Sequence, residues 1–313
     1  MPETVTLRKR PEDFAAALKP GRAIDTLFAV FDARKQPSRN GSSFIRATLG
    51  DRTGAVTMMF FPPTEKDADE ALARLAKGTI VRVAAMLEEF NGKLQMKVGA
   101  LSGLTPLRDG GYAPDDFRRA SPFSKADLQK GFAEVRAQIS DVHVGALWDA
   151  VFANTERREL FFRATAAKGN HHAYQGGLAE HTLEVVRIAT AAAAHVPNAN
   201  RDLCAVGALF HDIGKMEEYA ENGFAYEVTE DGRMIGHMVF GVRLLDEMVK
   251  LVPGFPHEHH RKLVNVILSH HGEVKLGWGS SKDPESLEAV IVHHADMISS
   301  RTNTMRFREN GWS

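Results

Sequence analysis

Apolar positions change their period once along this chain. Through roughly the first hundred residues they come in short blocks broken by turn-forming residues, and beyond residue 124 they recur every three or four positions. The first pattern belongs to half-buried strands and the second to amphipathic helices. Residues 24–35 form one apolar-rich run, and Asn40-Gly41 is a turn signal. In 43–49, Ile45, Ala47 and Leu49 fall on one face and Phe44, Arg46 and Thr48 on the other. Asp51-Arg52-Thr53-Gly54 turns the chain into a strand over 55–61, which Pro62-Pro63 stops. Residues 64–77 read as a helix with Ala68, Leu72 and Leu75 inward, closed by Gly78. Two further strands, 79–90 and 93–101, flank Asn91-Gly92. Three strands, a helix and two strands is the order of a five-stranded OB barrel, placed at 1–105.

Residues 106–123 carry Pro106, Gly110, Gly111 and Pro114 without periodicity and read as a linker. The rest, 124–313, reads as an all-α domain opened by Ser124 as N-cap. Helices are expected near 125–139, 141–153, 156–167, 178–195 and 202–214. A short hairpin is expected over 224–229 and 233–235 around Asp231-Gly232. His237, Phe240, Leu244, Met248 and Leu251 then form an inward stripe. Leu263, Ile267 and His270 form another, with Val264, Leu268 and His271 alongside. Ala289, Val292, His293 and Asp296 share a side of a last helix near 284–302. Cys204, Gly207 and Ala208 are small, which predicts room beside them for something other than side chains.

Composition separates the halves further. A length of 313 residues at 43% apolar content suits two domains. No apolar run is long enough for a membrane helix, the N-terminus lacks a signal-peptide pattern, and the single cysteine fits a reducing cytoplasm. Residues 1–105 carry a net charge of +4 and the remainder −5, a mild bias that favours a polyanion at the first domain. All 14 histidines lie at or after His143.

That segregation points to a metal-binding second domain. His211-Asp212 sets an imidazole beside a carboxylate, and Lys215 follows His211 at the four-residue spacing of one helix face. His181, His237, His270, His271 and Asp296 lie on separate helices, several of them on inward faces. Buried imidazoles and carboxylates are costly without partners, and a shared cation satisfies them together. Nitrogen and oxygen donors without thiolate suit manganese, iron, cobalt, nickel or zinc. In the barrel, Phe44 and Arg46 are the expected contacts for a single strand, flanked by Arg34, Lys35, Arg39 and Arg52.

The series His181, His211-Asp212, His237, His270-His271, Asp296 resembles the HD-domain metal-dependent phosphohydrolases over roughly 160–302. His171-His172-Ala173-Tyr174, Gly176-Gly177-Leu178 and His211-Asp212-Ile213-Gly214-Lys215 sharpen the match. With the barrel in front, the chain resembles the YhaM family of 3′→5′ exoribonucleases. The resemblance implies that His181, His211, Asp212 and Asp296 hold one divalent metal and His237 and His270 a second. Asp212 would bridge, and His271 would be a ligand or its neighbour; manganese is the first expectation. His293 is implied to support the ligands from behind. The segment after His270-His271 lacks the Gly-Tyr-Pro signature of cyclic di-GMP hydrolases.

A hydroxide activated by the metals would attack phosphorus, with Lys215 adding positive charge and Asp212 at the centre of catalysis. His171, His172 and Tyr174 are expected to grip the terminal nucleotide, and Arg301 to touch phosphate. The expected partner is single-stranded RNA, with single-stranded DNA as an alternative; no membrane is involved, and a homo-oligomer is allowed. Two rival readings are an HD phosphohydrolase of free nucleotides and a nucleic-acid binder without turnover.

Overall fold

The computed structural model describes residues 7–38, 41–107, 111–168, 172–222 and 225–309. It contains two compact units, the first running to Arg119 and the second comprising Ala120–Glu221 and Tyr226–Arg306.

The first unit is built from β1 (Ala23–Pro37), β2 (Ser43–Asp51), β3 (Gly54–Phe60), α1 (Glu65–Arg74), β4 (Ile80–Phe90), β5 (Lys93–Val98) and β6 (Leu104–Leu107). The order β1-β2-β3-β5-β4, with β4 returning to β1, closes a five-stranded barrel, and β6 adds to the edge of β4. Among the six named strands β3 and β5 run parallel, and the other pairs are antiparallel. Closure depends on β1 serving two neighbours. Ala23–Ala29 pairs with β4, Ala29–Pro37 pairs with β2, and the register shifts between Val30 and Asp32. An extra residue there bends the strand from one partner to the other. A Cβ at Gly50 would stand 2.4 Å from the Phe31 ring, so only glycine fits beside that bend.

Ile45, Ala47 and Leu49 are buried, as their alternation predicts, and pack with Phe28, Met58, Phe60, Leu87 and Met96. Thr64 caps α1 by accepting from the Asp67 amide, and Ala68, Ala71 and Leu75 of that segment close the barrel end. Asn91 and Gly92 both take positive φ, the hairpin geometry their identities favour. Structure continues past the expected barrel boundary. After β6, a turn over Pro114–Asp116 precedes Phe117, which is buried with Leu27, Ala29 and Ile80.

A buried clasp ties this unit's ends together. The Lys9 ammonium sits 2.8 Å from Asp51 Oδ2, donates to the Leu27 carbonyl at 2.7 Å and lies 3.6 Å from the Phe28 ring centroid. Burial pulls its pKa down, and Asp51 opposes that pull. Asp51 also accepts from the Ala15 and Thr53 amides, while Asp116 accepts from the Lys9 amide. Asp51→Ala strands a buried ammonium and is expected to cost the barrel about 3–5 kcal/mol. Urea unfolding of the barrel measures it, and a loss under about 1 kcal/mol would show the clasp to be incidental.

The second unit begins with α2 (Lys125–Arg136), whose N-cap Ser124 forms a full capping box with Asp127. There follow α3 (Val142–Ala153), α4 (Thr155–Arg163), α5 (Gly177–Ala193), α6 (Arg201–Phe210) and α7 (Lys215–Glu218). A small hairpin comes next, β7 (Tyr219–Asn222) with β8 (Ala225–Val228). Then come α8 (Glu230–Met234), α9 (His237–Lys250), α10 (His257–Ser269) and α11 (Leu287–Glu309). Leu178, Val185, Leu203, Phe210, Leu245, Leu263 and Val292 belong to one core shared by α5, α6, α9, α10 and α11.

Three expectations are corrected here. The hairpin lies earlier than Asp231-Gly232, and Phe224 falls outside the described residues. Thr229 accepts from the Gly232 amide as an N-cap, and Glu230 and Asp231 occupy the first turn of α8, where a helix favours acids. Leu251 ends α9 as its C-cap and is exposed. The space at Gly207 is filled by protein: a Cβ there would meet the Val266 side chain of α10 at 3.2 Å. Among the described residues, no helix is long and apolar enough to cross a membrane.

Candidate metal centre

His181 projects from α5 at full burial. His211 caps the C-terminus of α6, and Asp212 lies in the turn that follows. Gly214 decides how closely His237 approaches. A Cβ there would stand 2.0 Å from the His237 carbonyl oxygen and 2.8 Å from the Gly241 amide nitrogen. Glycine therefore lets the first turn of α9 press against the His211-Asp212 turn. His270 caps α10, and Asp296 comes from α11.

These side chains converge on Asp212. Its Oδ2 lies 3.4 Å from both His181 Nε2 and His211 Nε2. Its Oδ1 faces the other way, 3.7 Å from His237 Nε2 and 3.5 Å from His270 Nε2. Asp296 Oδ1 joins the first set, 3.2 Å from His181 Nε2. The donor atoms of His181, His211 and Asp296 lie within 4.8 Å of one another, and so do those of His237, His270 and His271.

The opposite ring nitrogen is anchored in four of these imidazoles, and His271 Nδ1 is buried without a hydrogen-bond partner. Nδ1 of His211 is 2.7 Å from the Ala208 carbonyl oxygen, and Nδ1 of His270 is 2.8 Å from that of Ile267. Nδ1 of His237 is 3.2 Å from Glu218 Oε2, and Nδ1 of His181 is 3.0 Å from Ser299 Oγ. Carbonyl and carboxylate oxygens accept a hydrogen bond from Nδ1–H, which leaves Nε2 with its lone pair toward Asp212. Within the second set, Asp212 Oδ1, His237 Nε2 and His270 Nε2 are buried with no hydrogen-bond partner. Polar atoms stranded in this way are costly, and a divalent cation would satisfy all of them, so the residues fit one.

Electrostatics agree with the geometry. Burial pushes the Asp212 and Asp296 carboxyls up, but the surrounding cationic groups outweigh it and hold both well below the usual range. Burial pulls His181 down, but Asp212 and Asp296 outweigh it and raise its pKa to about 9. Burial and the neighbouring His270 push His271 down to about 3.

Two family models match the chain: the HD domain over residues 178–301 and the OB-fold nucleic acid binding domain over 29–102. Over about nine-tenths of its length the chain is similar to proteins named 3′-5′ exoribonuclease YhaM. It is 27% identical over 285 residues to the 3′-5′ exoribonuclease YhaM of Halalkalibacterium halodurans, covering 91% of this chain and 85% of that protein. The YhaM of Shouchella clausii is 28% identical, covering 91% and 86%. That of Bacillus subtilis is 27% identical, covering 91% and 87%.

The HD match encloses every residue converging on Asp212. Lys215 reaches the centre by another route than the expected helix face. Helix α6 stops at Phe210, and Lys215 opens α7, from which its Nζ donates to Asp212 Oδ2 at 2.7 Å. Burial lowers its pKa, but Asp212 outweighs that and raises it. His293 donates from Nδ1 to the His270 carbonyl at 2.7 Å.

The expected nucleotide grip is not an open surface. His172 and Tyr174 are buried, with the Tyr174 hydroxyl donating to Glu180 at 2.9 Å, so that ring has no free face for a base. A loop segment carries no period from which its burial could be read. His171 lies outside the described residues. Arg301 is exposed on α11.

On the barrel, Arg46 is exposed and Phe44 half-buried. Phe44 stacks on Phe61 at 5.6 Å between ring centroids, and Phe61 is 54% exposed. The flanking basic residues are committed elsewhere. Lys35 pairs with Glu65 and Asp69, Arg34 with Asp32, and Arg52 lies over the Phe14 ring. Arg39 is outside the described residues. Phe61, Glu218 and Ser299 were missed from the sequence. Ser299 alone had a signal, standing three residues after Asp296 on one helix face.

A consequence for pH follows from His181. Its proton at about pKa 9 must leave before Nε2 can bind a cation. Below that pKa, Mn²⁺ affinity of the first set is expected to fall about tenfold per pH unit, with about one proton released per ion bound at pH 7.5. Calorimetry in buffers of different ionisation enthalpy counts the protons; no release would mean that the ion does not displace the His181 proton.

Proposed function

We propose that this chain is a metal-dependent 3′→5′ exonuclease that removes nucleotides from single-stranded RNA, with single-stranded DNA as a second substrate. The observation that carries this reading is the division of Asp212: one oxygen faces His181 and His211, the other His237 and His270. A bridging carboxylate between two nitrogen-rich donor sets suits a pair of divalent ions, manganese first. When bound, such a pair supplies an acidified water as nucleophile and clamps the phosphate oxygens. The curated relatives bear the name 3′-5′ exoribonuclease, which supports the direction of attack and the preference for RNA.

The chain's own residues do the rest. His181, His211, Asp212 and Asp296 hold the first ion, and His237, His270 and His271 with Asp212 hold the second. Lys215, beside Asp212, holds positive charge where the transferred phosphoryl group gains negative charge. Residues 124–313 carry the chemistry, and residues 1–105 hold the strand, with the Phe44–Phe61 stack as platform and Arg46 toward phosphate.

The test is a 5′-labelled single-stranded oligoribonucleotide incubated with Mn²⁺ or with EDTA. A ladder shortening from the 3′ end, lost with EDTA, is expected. Turnover of free nucleotides alone would favour the nucleotide phosphohydrolase, and binding without turnover under every metal would favour a pure binder. Lys215→Ala is expected to lower kcat by about 10²-fold while Mn²⁺ content stays near that of the wild type. Equal loss of metal and rate would make Lys215 a structural partner of Asp212.

A further inference from the structure

We infer that Ser299 and Glu184 are positioning residues that hold His181 in the one tautomer able to bind a cation. The inference rests on the proposed reading of His181 as a ligand. Ser299 is buried, and its Oγ lies between two groups: His181 Nδ1 at 3.0 Å and Glu184 Oε2 at 2.6 Å. A hydroxyl has a single proton, and a carboxylate can only accept. Ser299 therefore donates to Glu184 and accepts from His181, which places the imidazole proton on Nδ1. The lone pair then sits on Nε2, the atom facing Asp212 and Asp296.

The direction of this chain of bonds depends on Glu184 staying ionised, and the structure provides for that. Arg306 lies 2.7 Å from its Oε1 and His172 Nε2 lies 3.4 Å from its Oε2. Burial opposes the charge, but these partners hold the Glu184 pKa down at about 2. The donor atoms of His172, Glu180 and Glu184 are also close enough to suggest a cation site of their own. With Ser299, Arg306 and His172 already on Glu184, that carboxylate is an anchor and not an open ligand.

The other anchored imidazoles need no such device. His211 and His270 use carbonyls from their own helices, which are fixed acceptors, and His237 uses Glu218 directly. Only His181 is anchored through a group that can both donate and accept, so only His181 needs a second residue to set the polarity. Glu184 follows His181 by three residues on α5, and Ser299 follows Asp296 by three on α11. The two helices that supply the first set thus also carry its supports.

The test is Mn²⁺ titration of the metal-free full-length chain, with free ion followed by its EPR signal, for wild type, Ser299→Ala, Glu184→Gln and His181→Ala. Ser299→Ala is expected to weaken one class of site by about 10–100-fold and leave the other within about threefold, with the unfolding midpoint of the metal-free protein unchanged. Glu184→Gln keeps the shape but permits the reversed polarity, so it should weaken the same class by a smaller factor. Wild-type isotherms for both variants would overturn the inference, even where His181→Ala loses an ion. Loss of both classes together with a lowered unfolding midpoint would also overturn it, since that marks a structural role. If His181→Ala itself binds Mn²⁺ as wild type does, the ligand reading fails instead.

Discussion

Asp212→Ala is expected to remove Mn²⁺ binding at both donor sets and to lower turnover by at least about 10³-fold, the scale of losing a central electrostatic stabiliser. The physical reason is the position of the two oxygens. Each faces a different pair of imidazoles, so one substitution withdraws negative charge from both sets. It also leaves the buried Lys215 ammonium without the carboxylate it donates to. Asp212→Asn separates these effects: it keeps the volume and an acceptor oxygen but not the charge, so folding should survive while metal binding does not. Metal analysis alongside kcat/KM provides the check. An Asp212→Ala protein that holds metal and hydrolyses near the wild-type rate would mean that the centre described here is not the catalytic one.

The double replacement Phe44→Ala with Arg46→Ala is expected to act on long substrates alone. Losing one stacked base contact costs about 1–3 kcal/mol, roughly 5- to 150-fold in kcat/KM for a long single strand. The Phe44–Phe61 stack makes the upper part of that range reasonable, because removing Phe44 also frees its partner to move. Losing a phosphate contact lowers the salt slope of binding by about 0.7 for a single strand. A dinucleotide, handled by the metal centre alone, should be cleaved at nearly the wild-type rate. Rates on both substrates at two salt concentrations decide the matter. Equal losses on both would indicate damage to folding, and no loss on either would mean that another face carries the strand.

What was legible in the sequence was whatever obeys a period or a fixed local chemistry. Ile45, Ala47 and Leu49 alternate because β2 has one face in the barrel core, and they are buried accordingly. The clustering of His181, His211, Asp212, His237, His270 and Asp296 was legible because separate elements each carry a ligand-type residue and their order matches a known family. Errors arose where two local signals compete. Asp231-Gly232 has hairpin chemistry, but Thr229 at the cap and the acids after it turn the same residues into a helix start. Strand β6 is only Leu104–Leu107 with a proline inside, too short to show alternation. Tyr174 looked like an exposed aromatic in a loop, and its burial against Glu180 follows from tertiary packing alone. Ser299, Glu184 and Glu218 are ordinary polar residues whose meaning lies in what they face across the fold.

The clasp of Lys9, Asp51 and Asp116 also bears on how this unit can be moved between proteins. Strands β1 to β5 close the barrel, and a recombination or cloning boundary at residues 23 and 98 keeps all five strands. Such a graft would carry Asp51 but neither the ammonium it pairs with nor the Phe117 plug over Leu27 and Ile80. A graft that keeps both the clasp and the Phe117 plug is the longer stretch from Leu7 to Arg119.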